Sequence, residues 1–183
     1  MTDVNDARKA RGACLPKGMR VLVCTDVWAD YFTDRNASAA TIARVFEKVE
    51  QEGGTLLTAI SSLQDIFDLV AAYVASSLAQ DGEQTSEASI HEVAWGCLRL
   101  VRTRSAVVGL GLGECFEAET FRFPQGTFAD AMMFAAARRG EADLMLSERD
   151  VLCAVSPVSV CSVRNLAAAL GVEMDDESLE VER

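Results

Sequence analysis

The residues of this chain best suited to chemistry are carboxylates, and they recur at equivalent positions. Asp26 lies just past a short apolar run, Asp65 three residues beyond Ser62, Asp130 three beyond Thr127, and Glu148 with Asp150 just past another apolar run. If each run is a strand and each Ser or Thr opens a helix, all these acids stand where strands end or helices begin. In an open parallel sheet such points line one edge, the edge at which ligands bind. Carboxylates crowded there repel one another unless a hard divalent cation with oxygen ligands, Mg2+ or Mn2+, neutralises them. The chemistry that follows is metal-assisted phosphodiester hydrolysis, with the cation activating water and stabilising the leaving oxygen. Asp26, Asp65, Asp130 and Asp150 are the candidate catalytic residues, and Asp26, Asp65, Asp130, Glu148 and Asp150 the candidate metal ligands. A purely structural reading stands beside this one. Ser62-x-x-Asp65 and Thr127-x-x-Asp130 fit capping boxes, in which an acid offsets the positive end of a helix. Glu148 and Asp150 fit a solvated loop equally well.

The elements that must position these acids follow from periodicity. Met19 to Val23 predicts a buried strand that opens into a loop at Cys24-Thr25-Asp26. Ile42, Val45, Phe46 and Val49 recur at helical spacing, with Gly53-Gly54 as the stop. Thr55 to Ile60 predicts the second strand, and Ser61-Ser62 caps a helix running to about Leu78. The polar stretch Gln80 to Ser89 predicts an exposed loop, followed by a helix with the stripe Ile90, Val93, Ala94, Cys97 and Val101. Ser105 to Leu110 is the expected third strand and Glu114 to Phe121 a short helix. A helix from Thr127 to Arg139, closed by Gly140, precedes strands at Asp143 to Ser147 and Val158 to Cys161 and a last helix capped by Ser162. Alternating strands and helices imply right-handed crossovers and a parallel sheet covered on both faces. The fold class is therefore α/β, a three-layer α/β/α sandwich with a mainly parallel sheet of four to five strands. Residues 19–172 form the expected domain, between a flexible arm at 1–18 and an acidic tail at 173–183.

The same residues resemble a PIN domain. Val21-Leu-Val-Cys24-Thr25-Asp26-Val27-Trp28-Ala29-Asp30 is similar to the family's first motif, an apolar strand followed by Asp-Thr-Asn/Ser-Val and often a further Asp. Ser62-Leu63-Gln64-Asp65-Ile66 resembles the second motif. Phe128-Ala129-Asp130-Ala131 and its alanine-rich continuation resemble the third, running on through Gly140-Glu-Ala-Asp143 to Ser147-Glu148-Arg149-Asp150. The resemblance implies RNA cleavage with Mg2+ or Mn2+. It also implies a toxin-like role with a cognate antitoxin as partner, and makes self-association reasonable. One departure matters: Cys24 stands where the family places its first metal-binding Asp. A thiol is a poor ligand for Mg2+, so either Asp26 substitutes from two residues along, on a strand that continues that far, or the chain is a binding or regulatory protein that has lost hydrolysis.

Composition narrows the classes further. The chain has 183 residues, a formal net charge of −11 and six cysteines. No apolar run approaches the roughly 20 residues of a bilayer-spanning helix, and the first twenty residues, with Arg8, Lys9, Arg11, Lys17 and Arg20, lack the apolar segment of a secretory signal. A cytoplasmic location with no membrane partner is expected, with the cysteines reduced, since no CxxC pair or paired histidines signal zinc or a disulfide framework. Such acidity rules out a global phosphate-binding surface, leaving Arg99, Arg102 and Arg104 as the one dense basic group, equally explained as a helix end. Gly109-x-Gly111-x-Gly113 falls short of a dinucleotide fingerprint because Glu114 stands where glycine is required. His91, the only histidine, is expected in solvent.

Overall fold

The computed structural model describes residues 17–33, 38–80, 85–153 and 156–174. The expected arm at 1–18 and tail at 173–183 lie almost wholly outside the described residues, as do 81–84 of the expected Gln80 to Ser89 loop. The elements run β1 (Arg20–Val23), α1 (Thr25–Thr33), α2 (Ala39–Gln51), β2 (Thr55–Ala59), α3 (Ser62–Gln80) and α4 (Glu87–Arg104). They continue with β3 (Ala106–Val108), α5 (Leu112–Ala118), α6 (Phe128–Arg139), β4 (Leu144–Leu146), α7 (Asp150–Cys153), β5 (Ser159–Cys161) and α8 (Val163–Leu170). The five strands form one sheet in the order β3-β2-β1-β4-β5, and every pairing is parallel.

Strand alternation divides the core into two layers. Val21, Val23, Leu56 and Leu146 face α1, α2, α3, α4 and α8, where Val27, Trp28, Phe46, Ile66, Leu98 and Leu166 fill the space. Leu22, Cys24, Leu57, Ala59 and Met145 face the other way, onto Met133, Phe134, Ala136 and Ala137 of α6 and Leu152 of α7. Both faces are thus covered, as an all-parallel sheet requires. The chain runs outward from β1 through β2 to β3, then returns to β1's other side with β4. The order reverses between β1 and β4, and their C-terminal ends flank the crevice that forms at such a switch point.

Three local expectations change. Thr25 begins α1 directly, with Cys24 accepting from Trp28 N through its carbonyl at 3.2 Å. The strand does not continue to Asp26, so Asp26 does not share a strand face with Cys24. The loop expected to reach Ser89 ends earlier, because Ser86 caps α4 by accepting from Ser89 N. Within α4 the buried stripe is Ala94, Leu98 and Val101, while Val93 is 48% exposed. Gly140 closes α6 as expected, in a right-handed conformation at φ −78, and the left-handed residue that follows it is Glu141 at φ 49. Glycine is needed at 140 for space, since a Cβ there would meet Leu57 and Val108 side-chain atoms at 3.0 Å each. Glu141→Gly should therefore stabilise the protein by about 0.5–1 kcal/mol, the left-handed strain of an L-residue less glycine's unfolded-state entropy. Equilibrium denaturation measures it, and a loss of stability would contradict the assignment.

Candidate functional site

At the junction of β1 and β4 lies a cavity of about 580 Å³. Its wall carries Asp26 and Asp30 from α1, Asp65 and Asp68 from α3, and Asp130 from α6, with Arg149 closing the β4 side; Cys24, Met133 and Leu152 supply apolar surface. Three of the sequence-derived candidates, Asp26, Asp65 and Asp130, thus come together at one sheet edge. Asp150 does not join them: it is exposed at the start of α7 and does not line the cavity. Glu148 is turned elsewhere, its Oε1 accepting from Val163 N at 2.7 Å, where it satisfies the first turn of α8.

Each remaining carboxylate is held differently. Asp26 Oδ2 accepts from Ser147 Oγ at 2.8 Å and from Glu148 N at 2.7 Å. Arg149 N donates in turn to Ser147 Oγ at 3.1 Å, so Asp26 pins the turn after β4. Asp130 completes the capping box that its spacing suggests: Thr127 N and Thr127 Oγ1 donate to its Oδ2 at 2.8 and 2.9 Å, and Asp130 N donates to Thr127 Oγ1 at 3.2 Å. It is also gripped by Arg149, whose Nη1 donates to Oδ1 and whose Nη2 donates to Oδ2 at 3.2 Å. Asp65 is exposed at the rim. Asp68 accepts from Gln64 Nε2 at 2.9 Å. Asp30 is 1% exposed.

The protonation of the site follows from these surroundings. Burial and the charge of Asp26 push the Cys24 thiol well above its ordinary value against a weaker pull from Ser147, so it stays a neutral thiol. Burial opposes ionisation of Asp130, but the hydrogen bonds from Arg149 and Thr127 outweigh it and hold the carboxyl below the usual aspartate range. Glu148 moves the other way: burial, aided by Asp26 and Asp30 and opposed by the Val163 N–H, raises it.

A divalent cation does not fit this arrangement. Among the described residues no three acidic, cysteine or histidine side chains stand close enough to hold a metal ion. The reasons are chemical: Cys24 offers a neutral thiol at the strand end, Asp26 and Glu148 spend oxygens on backbone N–H groups, and Asp130 already has a cation.

Three charged residues of this cavity, Asp30, Asp68 and Arg149, were not among the sequence-derived candidates. Asp30 carried a signal, as a lone acid four residues past Asp26 inside an apolar stretch. Asp68 repeats Asp65 at i+3, on the same helical face. Arg149 gave only its place in Ser147-Glu148-Arg149-Asp150. Of the basic group on α4, Arg99 pairs with Glu92 at 2.8 Å and Arg104 with Glu50 of α2 at 3.1 Å. His91 sits 3.8 Å from Glu87 and against Phe67. Trp28 is fully buried, whereas Trp95 is 53% exposed. Gly111 N donates to Glu114 Oε2 at 2.7 Å, so the glycine-rich stretch opens α5. No helix among the described residues is long and apolar enough to cross a membrane.

No family model and no curated protein matches the chain. Among solved structures, a chain from the crystal structure of VapBC2 from Rickettsia felis bound to a DNA fragment from their promoter is similar at a TM-score of 0.58 and 10% sequence identity. The match covers 79% of this chain and 98% of that one. At this identity the likeness carries the fold: a PIN-like α/β domain with a five-stranded parallel sheet.

Proposed function

We propose that this PIN-fold chain works by binding rather than by hydrolysis, using the acidic cavity at the β1–β4 junction to receive a positively charged group of a partner protein. The observation that carries this reading is Cys24, a buried neutral thiol at the end of β1, beside carboxylates already committed to protein donors. Asp65 and Asp68 remain exposed at the rim, where their charge meets an arriving cation first. A net charge of −11 disfavours an RNA strand and favours a basic partner. The likeness to a chain of VapBC2 supports a toxin–antitoxin setting, with a cognate antitoxin as that partner. A cytoplasmic location fits such a role.

The rival reading is a Mg2+- or Mn2+-dependent ribonuclease, favoured by the shared wall of Asp26, Asp65 and Asp130. One assay separates the two. Purified protein incubated with Mn2+ and a panel of single-stranded RNAs is expected to leave them intact. Metal-dependent cleavage by the native chain that disappears in Asp130→Asn would overturn the binding reading. Cys24→Asp restores an acid at the strand end, so it should strengthen Mn2+ binding; no change would clear Cys24 of responsibility for the loss.

A further inference from the structure

We propose that Arg149 is a built-in cation that closes the cavity to divalent metal, an intramolecular plug on the carboxylate that a metal would otherwise use. The inference rests on the binding reading above and adds to it how the pocket selects among cations.

The geometry is specific. Asp130 lies at the start of α6, where the backbone N–H groups already favour an anion. Placing a cation beside that end is unfavourable unless it pairs directly with the acid, and Arg149 does so with two guanidinium nitrogens, one on each oxygen. Two parallel N–H···O bonds of this kind suit the planar fork of arginine and not the point charge of lysine. With Thr127 N and Thr127 Oγ1 also on Oδ2, that oxygen is fully engaged, and the guanidinium stands on Oδ1, the oxygen a cation would have to take. The pair is uneven in exposure: the Asp130 side chain is 4% exposed and that of Arg149 44%. The acid is therefore fixed in the wall, while the guanidinium has room to leave it for water.

The backbone of Arg149 is set by the same turn that Asp26 holds. Ser147 Oγ donates to Asp26 and accepts from Arg149 N, so α1, the end of β4 and the plug form one hydrogen-bonded series. The turn that would position a metal-site residue in an open cavity here delivers a permanent positive charge. A metal must displace Arg149 to reach Asp130, and it then meets a thiol instead of a second hard oxygen at Cys24.

The test is Mn2+ binding, followed by calorimetry and by the loss of the free-ion paramagnetic signal, on the native chain, Arg149→Gln, Asp130→Asn and the double variant. Melting curves of each protein confirm folding. Arg149→Gln should bind Mn2+ at least about tenfold more tightly than the native chain, the change expected when one charge-assisted pair competing for the carboxylate is deleted. The double variant should return to the native level, since the freed carboxylate is then gone. Equal Mn2+ affinity in the native chain and a folded Arg149→Gln would overturn the plug, as would a gain that survives Asp130→Asn. Should Arg149→Gln fail to fold, Arg149→Lys keeps the charge but loses the fork, and it should show a smaller gain in the same direction; no gain there would equally overturn it. RNA cleavage by the native chain would refute the binding reading alone, because the plug is judged by the ratio of metal affinities.

Discussion

Replacing Trp28 with alanine is expected to lower the unfolding free energy by about 3–5 kcal/mol, the range for truncating a large buried aromatic. Trp28 is fully buried in the layer between the sheet and the helices α1 to α4. Its ring lies 5.0 Å from Phe46, 5.9 Å from Tyr31 and 6.2 Å from Phe32, centroid to centroid. The indole also starts a buried polar series. Its Nε1 donates to Thr58 Oγ1 at 3.0 Å, Thr58 and Ser105 hydroxyls are 2.8 Å apart, and Ser105 Oγ donates to Val101 O at 2.8 Å. One side chain thereby joins α1 to β2 and, through Ser105, to the end of α4. The same helix carries Asp26 and Asp30 into the cavity, so its anchorage sets the cavity wall. Trp28→Phe keeps most of the packing and deletes the donor, which should cost about 1–2 kcal/mol. Denaturant titration of both variants separates the contributions. A loss below about 1.5 kcal/mol for alanine would mean that the site collapses around the missing ring, contrary to the packing described.

The second large effect is at Asp130. Asp130→Ala removes the reciprocal cap of α6, worth about 1 kcal/mol, and the charge-assisted bonds from Arg149, worth about 1.5–3 kcal/mol before discounting. Because the Arg149 side chain is 44% exposed and rehydrates when released, the ionic part is reduced. The expected total is about 2–3 kcal/mol near neutral pH. Its pH dependence has a definite sign. The carboxyl is held below its ordinary value in the folded chain, so its contribution is present in full above the unfolded value of about 3.9 and is lost as pH falls through the folded value. The stability difference between native protein and Asp130→Ala should stay flat through neutral pH and shrink only in acid. A difference that persists undiminished below that range would rule out the charge of Asp130 as its source. Asp130→Asn, which keeps an acceptor oxygen for the Thr127 donors, should fall between the two.

Much of the architecture is written in local signals. Strands β1 and β2 announce themselves as apolar runs, and α6 as a Thr-x-x-Asp cap before an alanine-rich stretch ending at glycine. Such signals are legible because they act within one turn of chain, through caps and face periodicity. Helix α1 is not legible in this way. Its sequence, Thr-Asp-Val-Trp-Ala-Asp-Tyr-Phe-Thr, is rich in β-branched and aromatic residues with poor helix propensity, and its burial against α2 and α3 overrides that preference. The same applies to α4, where the face that buries Leu98 and exposes Val93 is chosen by what the helix packs against.

The residue order by itself determined that acids would gather at one rim of a parallel sheet, because every βα unit places its strand end and its helix start on the same side. Which of them stay open to a ligand was settled only by folding. Asp26 turned to the backbone after β4, Glu148 to the first N–H of α8, Asp150 to solvent, and Asp130 to a guanidinium nineteen residues away. Each choice is a competition for a carboxylate's few lone pairs among donors brought close by tertiary contact, and proximity of that kind has no trace in local spacing.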